Sequence, residues 1–254
     1  MTPLERINTI RKWILEYVET MDKPANCLVV GISGGVDSAV VSTICAMTGM
    51  KTLVASMPIS QRPEHHDLSI KHKNWITTKY GNCYGVEIDL THTFLSFENQ
   101  MIDMKFKDEM GLANSRARMR MMCLYQLSAS TSGIVVGTGN KIEDFGVGFY
   151  TKYGDGGVDI SPIADCTKTE VWAMAKELNI LEEIQTAEPT DGLWSDGRND
   201  TDQLGMSYSQ IEYLMKNPSE PAYQQYLSIR KKNLHKMKSI PVCKFDGKTN
   251  LAND

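Results

Sequence analysis

Residues 31 to 38 read Gly31-Ile32-Ser33-Gly34-Gly35-Val36-Asp37-Ser38, directly after the apolar run Cys27-Leu28-Val29-Val30 and directly before Ala39-Val40-Val41-Ser42. A strand, a glycine turn and a helix start in that order make an anion site. The first backbone N–H groups of a helix lack intrahelical partners, and the helix dipole places partial positive charge there. Gly34 and Gly35 remove Cβ atoms so that main chain can approach a phosphate closely, and Ser33 and Ser38 add hydroxyl donors. Asp37 would repel that phosphate unless a cation stood between them, so the loop implies Mg2+. No lysine follows the glycines as in a Walker A loop, and the GxGxxG spacing is absent. The alternative is a glycine-rich turn that binds nothing, but such a turn does not need two glycines, two serines and an acid together.

Other residues of suitable type stand where they would reach the same ligand. Gly137-Thr138-Gly139-Asn140-Lys141-Ile142-Glu143 follows an expected strand at Ile134-Val135-Val136-Gly137-Thr138, and in open α/β sheets the ligand crevice lies at the C-terminal ends of strands. Glu143 is then a second Mg2+ carboxylate beside Asp37, with phosphate oxygens and water completing an octahedral shell; a surface carboxylate is the alternative. Lys168 lies in the first turn of a helix opened by the capping box Thr167-Lys168-Thr169-Glu170, where a cation opposes the dipole unless an anion is near. A triphosphate would supply that anion; a solvent-facing lysine is the other reading. Arg116 and Arg120 share a helix face and Arg118 points roughly the other way. His235-Lys236, on the residues alone, reads as ordinary charge at a helix end.

The elements that must position these groups alternate between strand and helix. Thr2-Pro3-Leu4-Glu5 is a capping box with Pro at the first helical position, and Ile7, Ile10, Ile14 and Val18 follow at helical spacing. Strands are expected at 27–30, 52–57, 83–90 and 134–138, helices after the glycine loop, at 65–80, around Phe94 to Phe97 and at 112–130. This pattern predicts a doubly wound, mostly parallel α/β sheet with helices on both faces, in a single domain spanning 1–254. Residues 139–159 carry six glycines among Phe145, Phe149, Tyr150 and Tyr153 and read as a long functional loop. Residues 191–205, rich in Asp, Gly and Asn, read as a mobile lid or, alternatively, a solvated connector. Ser207 with Gln210 opens a further helix and 221–238 a final one. The helix at 112–130 is apolar on nearly every side, which suggests burial both in the core and against another subunit.

Composition narrows the function classes. With 41% hydrophobic residues the chain can bury one substantial core, and its formal net charge of -4 argues against a nucleic-acid partner. Six cysteines without a CxxC pair suggest neither a zinc site nor a redox motif. No apolar stretch of about 18 residues and no secretory leader is visible, so no membrane span is expected and the reading is cytoplasmic.

The Ser33-Gly34-Gly35-Val36-Asp37-Ser38 loop resembles the pyrophosphate loop of the ATP pyrophosphatase superfamily, which cleaves ATP between the α and β phosphates. Together with Phe149-Tyr150-Thr151-Lys152-Tyr153-Gly154-Asp155-Gly156-Gly157-Val158-Asp159 it resembles NAD synthetase over most of the chain. That resemblance implies an adenine nucleotide alpha-hydrolase-like fold and a ligase converting deamido-NAD, ATP and ammonia to NAD, AMP and pyrophosphate. It further implies ATP contacts at Gly31 to Ser38, Thr138, Lys168 and Thr190, with Asp37 and Lys168 catalytic. Asp37 and Glu143 would be the Mg2+ ligands, and Arg118, Lys152, Asp159, His235 and Lys236 would contact deamido-NAD. A homodimer is implied as well, and free ammonia as the nitrogen source, because the length leaves no room for a glutamine-hydrolysing domain. The best-known branch has Asp after the Gly-Thr step and Gln inside the loop, where this chain has Gly139 and Val36. Rivals are an ATP pyrophosphatase acting on another acid or on tRNA, and a nucleotide-binding regulator without chemistry.

Overall fold

A computed structural model describes residues 1–61, 63–190, 192–194, 199–243 and 245, with main chain alone for 63–65. Four parallel strands form one sheet in the order β3-β2-β1-β4, where β1 is Cys27–Gly31, β2 Lys51–Ser56, β3 Cys83–Glu87 and β4 Ile134–Val135. The chain moves outward from β1 to β2 to β3 and then crosses back to pair β4 on the other side of β1. β1 and β4 therefore flank the switch point at which an open sheet leaves a crevice beyond its strand ends. Leu28 and Val30 pack into one core and Cys27 and Val29 into another, so both faces of β1 are apolar, as a covered parallel strand requires.

Helices cover both faces. α2 (Val36–Met47) contacts β1 and β2, and α3 (Pro63–Lys79) contacts β2 and β3. α5 (Glu109–Thr131) packs on β1 and β4, and α4 (Thr91–Asp103) packs on α5. α1 (Pro3–Glu19) lies against α2 and α6 (Lys168–Glu177), with Ile7, Ile10 and Ile14 in the main core and Arg6 paired to Glu170. The expected capping boxes at Thr2 and Thr167 are both formed.

The second half departs from the sequence expectations in three places. β4 is two residues long rather than five; Val136 continues it only through an isolated parallel bridge to Ile160, and Gly137 donates to the Ile160 carbonyl. The stretch 139–159 is not irregular throughout, because Ile142–Val147 forms a π-helix. A five-residue helix α7 (Glu182–Thr186) was not anticipated; one and a half turns carry too little periodicity to read. Of the expected lid, Asp191 and 195–198 lie outside the described residues, while Asp200–Leu204 forms helix α8 with Asn199 in a capping box. Beyond it, α9 (Tyr208–Lys216) and α10 (Tyr223–Met237) join the π-helix around a small separate core of Ile142, Val147, Leu204, Tyr208, Ile211, Leu214 and Tyr226.

Candidate functional site

The glycine loop runs off the end of β1 into α2. Gly34 has φ +88, a left-handed conformation that a side chain would strain, and Gly35 is the N-cap of α2 without a side-chain cap. The hydroxyls inside the loop hold its curve: Ser38 Oγ donates to the Gly35 carbonyl at 3.0 Å and accepts from the Ser33 N–H at 3.2 Å, while Ser33 Oγ accepts from the Gly35 N–H at 3.2 Å. Val36 packs in the main core.

Three side chains from separate elements converge beside this loop. Lys168, only 2% exposed at the start of α6, donates from Nζ to Asp37 Oδ2 at 2.5 Å and to Glu143 Oε1 at 3.1 Å. Burial alone would depress its pKa, but Asp37 and Glu143 outweigh burial and hold it above the ordinary lysine range, so it is a fixed cation. Asn140, fully buried, donates to Asp37 Oδ1 at 3.1 Å. Its own carbonyl accepts the N–H groups of Ile142 and Glu143, so one side chain both opens the π-helix and orients Asp37. Tyr208 donates its phenol toward Glu143 Oε1 at 2.6 Å and Asp200 Oδ2 at 2.7 Å. Burial and those two carboxylates push its pKa far up, so it remains a donor throughout the working pH range.

Two carboxylates, Asp37 and Glu143, share the Lys168 ammonium. Paired carboxylate oxygens of this kind fit a hard divalent cation. Among the described residues no three acidic, His or Cys side chains are close enough to hold an ion unaided, so the remaining ligands would be phosphate oxygens and water. Asp144 lies close by; burial, then Glu143, Asp155 and Asp37, raise its carboxyl to about 7. It also fills a gap left by Gly139. A Cβ on residue 139 would lie 2.2 Å from Asp144 Oδ1, so the carboxylate from the π-helix occupies the room a side chain at 139 would need.

The opposite wall comes from the π-helix, the following turn and α10. A helix end leaves carbonyls without partners, and α10 meets them with side chains on one face. Arg230 donates to the Phe145 and Gly146 carbonyls, Asn233 to Val147 at 2.9 Å, and Lys236 to Gly148 and Tyr150 at 2.8 Å each. Burial lowers the Lys236 pKa, with Asp155 acting the other way.

These walls enclose a cavity of about 930 Å3. Gly31 to Ser38, Thr138, Glu143, Lys168, Thr190, Arg118, Lys152, His235 and Lys236 all line it. Asp159 does not. Its carboxylate accepts from the Tyr125 hydroxyl at 3.0 Å and the Val135 N–H at 2.7 Å, tying the turn to β4 and α5. The three arginines of α5 separate as the helical spacing predicts: Arg116 reaches the Leu193 carbonyl, Arg118 that of Lys152 and Arg120 that of Met57. Sequence reasoning missed Asn140, Asp144, Asp200 and Tyr208. An asparagine two residues before a helical stretch is a readable cap signal, but nothing local marks the other three.

The NAD synthase family model matches residues 6–250. An NH(3)-dependent NAD(+) synthetase of Carboxydothermus hydrogenoformans is 35% identical over 240 residues, covering 93% of this chain and 96% of the relative. One from Methanosarcina acetivorans is 34% identical over 251 residues, covering 90% and 95%. Among solved structures, an NMN synthetase from Francisella tularensis superposes with TM-score 0.86 at 27% identity, covering 96% of this chain and 100% of that one. An NH3-dependent NAD synthetase from Campylobacter jejuni does so with TM-score 0.75 at 24% identity, over 96% and 100%, a likeness of fold.

Proposed function

The chain belongs to the NAD synthase family, and from that membership we propose that it is an ammonia-dependent ligase making the amide of NAD from deamido-NAD, ATP and ammonia. The observation that carries this reading is the convergence of Asp37, Glu143 and Lys168 beside the glycine loop, in a cavity whose other wall bears Lys152 and Lys236. The nicotinate carboxylate attacks the α-phosphorus of ATP and pyrophosphate leaves; ammonia then displaces AMP from the acyl adenylate. The loop amides at Gly31 to Ser38 bind the phosphates, with Thr138 and Thr190 also on the ATP side. Lys168, a permanent cation, stabilises the charge that builds on the departing pyrophosphate. Asp37 and Glu143 would hold Mg2+, which when bound neutralises phosphate charge.

Arg118, Lys152, His235 and Lys236 are proposed to hold the dinucleotide. Asp159 acts at one remove, since its carboxylate is engaged by Tyr125 and Val135. Of the acids suited to taking a proton from ammonium, Asp155 on the cavity wall is the better placed. The exposed Met110 and Met122 on α5 support a homodimer formed through that helix. No helix among the described residues is long and apolar enough to cross a membrane, and a dependence on ATP favours the cytoplasm.

Purified protein given ATP, Mg2+, ammonium and deamido-NAD should yield AMP and NAD in equal amounts; absence of both overturns the assignment. Asp37→Ala should abolish turnover, and an active variant would remove its metal role. A second reading takes the acid to be nicotinate mononucleotide, favoured by the superposition on an NMN synthetase. The ratio of kcat/KM for the two acids separates the readings.

A further inference from the structure

Tyr208 is the first residue of α9, capped by Ser207, and is 4% exposed. It touches Glu143, Asp200 and Lys168 of the cluster. Its hydroxyl lies 2.6 Å from Glu143 Oε1 and 2.7 Å from Asp200 Oδ2, and its ring faces Lys168 Nζ at 4.6 Å. Glu143 Oε1 also accepts from Lys168, so two donors occupy one oxygen, and among the described residues nothing donates to Oε2. A carboxylate pinned by one oxygen cannot swing about its last torsion, which fixes the direction in which the other faces.

We propose that Tyr208 is a positioning residue: it locks the Glu143 carboxylate so that Oε2 is presented to Mg2+, and links that orientation to Asp200 and helix α8. The inference rests on the Mg2+–ATP reading of the site given above. Glu143 stands on the π-helix with three side-chain torsions of its own, and Asn140 restrains its backbone but not its carboxylate. Tyr208 supplies the missing restraint from a different element. Because Asp200 starts α8 and Tyr208 starts α9, the phenol donor and its second acceptor are both held by capped helix ends, a stiff support for the hydrogen bond to Glu143.

Tyr208→Phe keeps the ring under Lys168 and removes only the hydroxyl. Mn2+ binding, measured by electron paramagnetic resonance with the non-cleavable analogue α,β-methylene-ATP, should weaken about tenfold, the worth of a charge-assisted hydrogen bond. The half-saturating Mg2+ concentration for turnover should rise in parallel, with kcat at saturating Mg2+ and KM for deamido-NAD little changed. In the Glu143→Gln background the same substitution should add no further loss of Mn2+ affinity. Unchanged Mn2+ affinity in Tyr208→Phe overturns the proposal, as does a loss of kcat with no change in Mg2+ dependence. Should that variant not fold, 3-fluorotyrosine at 208 leaves the hydroxyl in place: its fluorine resonance should shift when Mg2+ joins the analogue, and an unmoved resonance overturns the proposal. A wild type that neither binds Mn2+ with the analogue nor forms AMP would instead bring down the reading of the site on which this rests.

Discussion

On one wall of the cavity the contact groups are main-chain amides and short hydroxyls where β1 turns into α2; on the other they are long side chains from the π-helix, α6 and α10. The first wall inherits its geometry from the sheet, since Val36 and Ala39 to Val41 are locked in the main core. The second is assembled from pairwise bonds between elements distant in sequence, over a small core of its own. The contrast teaches that the form of the glycine loop is a property of backbone shape, whereas orientation of the carboxylates is a property of a side-chain network. The two respond to mutation differently.

The largest effect should come where the walls meet. Lys168→Met removes a buried cation from the half-buried Asp37 and Glu143 carboxylates and should cost about 3–5 kcal/mol in urea unfolding. A loss below ~1 kcal/mol would mean that the network does not hold the walls together. Next, Ile163→Ala and Ile211→Ala each remove a fully buried side chain, one from each core, at about 2–5 kcal/mol apiece. Hydrogen exchange sharpens the comparison. Ile163→Ala should lower protection throughout the sheet, while Ile211→Ala should lower it in α9 and α10 with β1 and β2 unaffected; equal loss everywhere would make the two cores one cooperative unit.

A smaller effect isolates the sheet wall. His72 on α3 is fully buried against Ser42 of α2, and burial lowers its pKa to about 4. The unfolded chain takes up that proton near pH 6.5, so the group's contribution is complete above about 6.5 and is lost as pH falls toward 4, by about 3 kcal/mol at most. Stability of His72→Asn should be less steep over that window. Smallest in stability is Gly34→Ala, about 1 kcal/mol for a side chain at positive φ. Isothermal titration should nonetheless show ATP binding at least about tenfold weaker, since the proposed phosphate contact needs close approach to this main chain.

Legibility in the sequence follows the same divide. The strand, glycine turn and helix of the first wall are contiguous and each has a local signal, so the parallel sheet, the loop and its neighbours Glu143 and Lys168 were all identifiable. β4 is shorter than its apolar run because pairing to β1 stops at Val29 opposite Val135, although β1 runs on to Gly31, and Val136 bridges Ile160 instead. The π-helix was invisible because its turns follow neither the helical nor the strand period, and glycines at 146 and 148 mimic a loop. Asp200 and Tyr208 went unread for a different reason. Each begins a short capped helix, an ordinary position, and acquires a role only when α8 and α9 fold onto the π-helix. Asp159 is the converse: it lies within a recognisable motif, and the bonds its carboxylate accepts from Tyr125 and the β4 main chain have no local signal.

The collision between a side chain at 139 and the Asp144 carboxylate couples two positions five residues apart. What stands in the way is the end of a flexible side chain, so a residue larger than glycine at 139 obliges that carboxylate to swing aside. A change at 139 is therefore felt first at 144, and a smaller residue at 144 makes room for it.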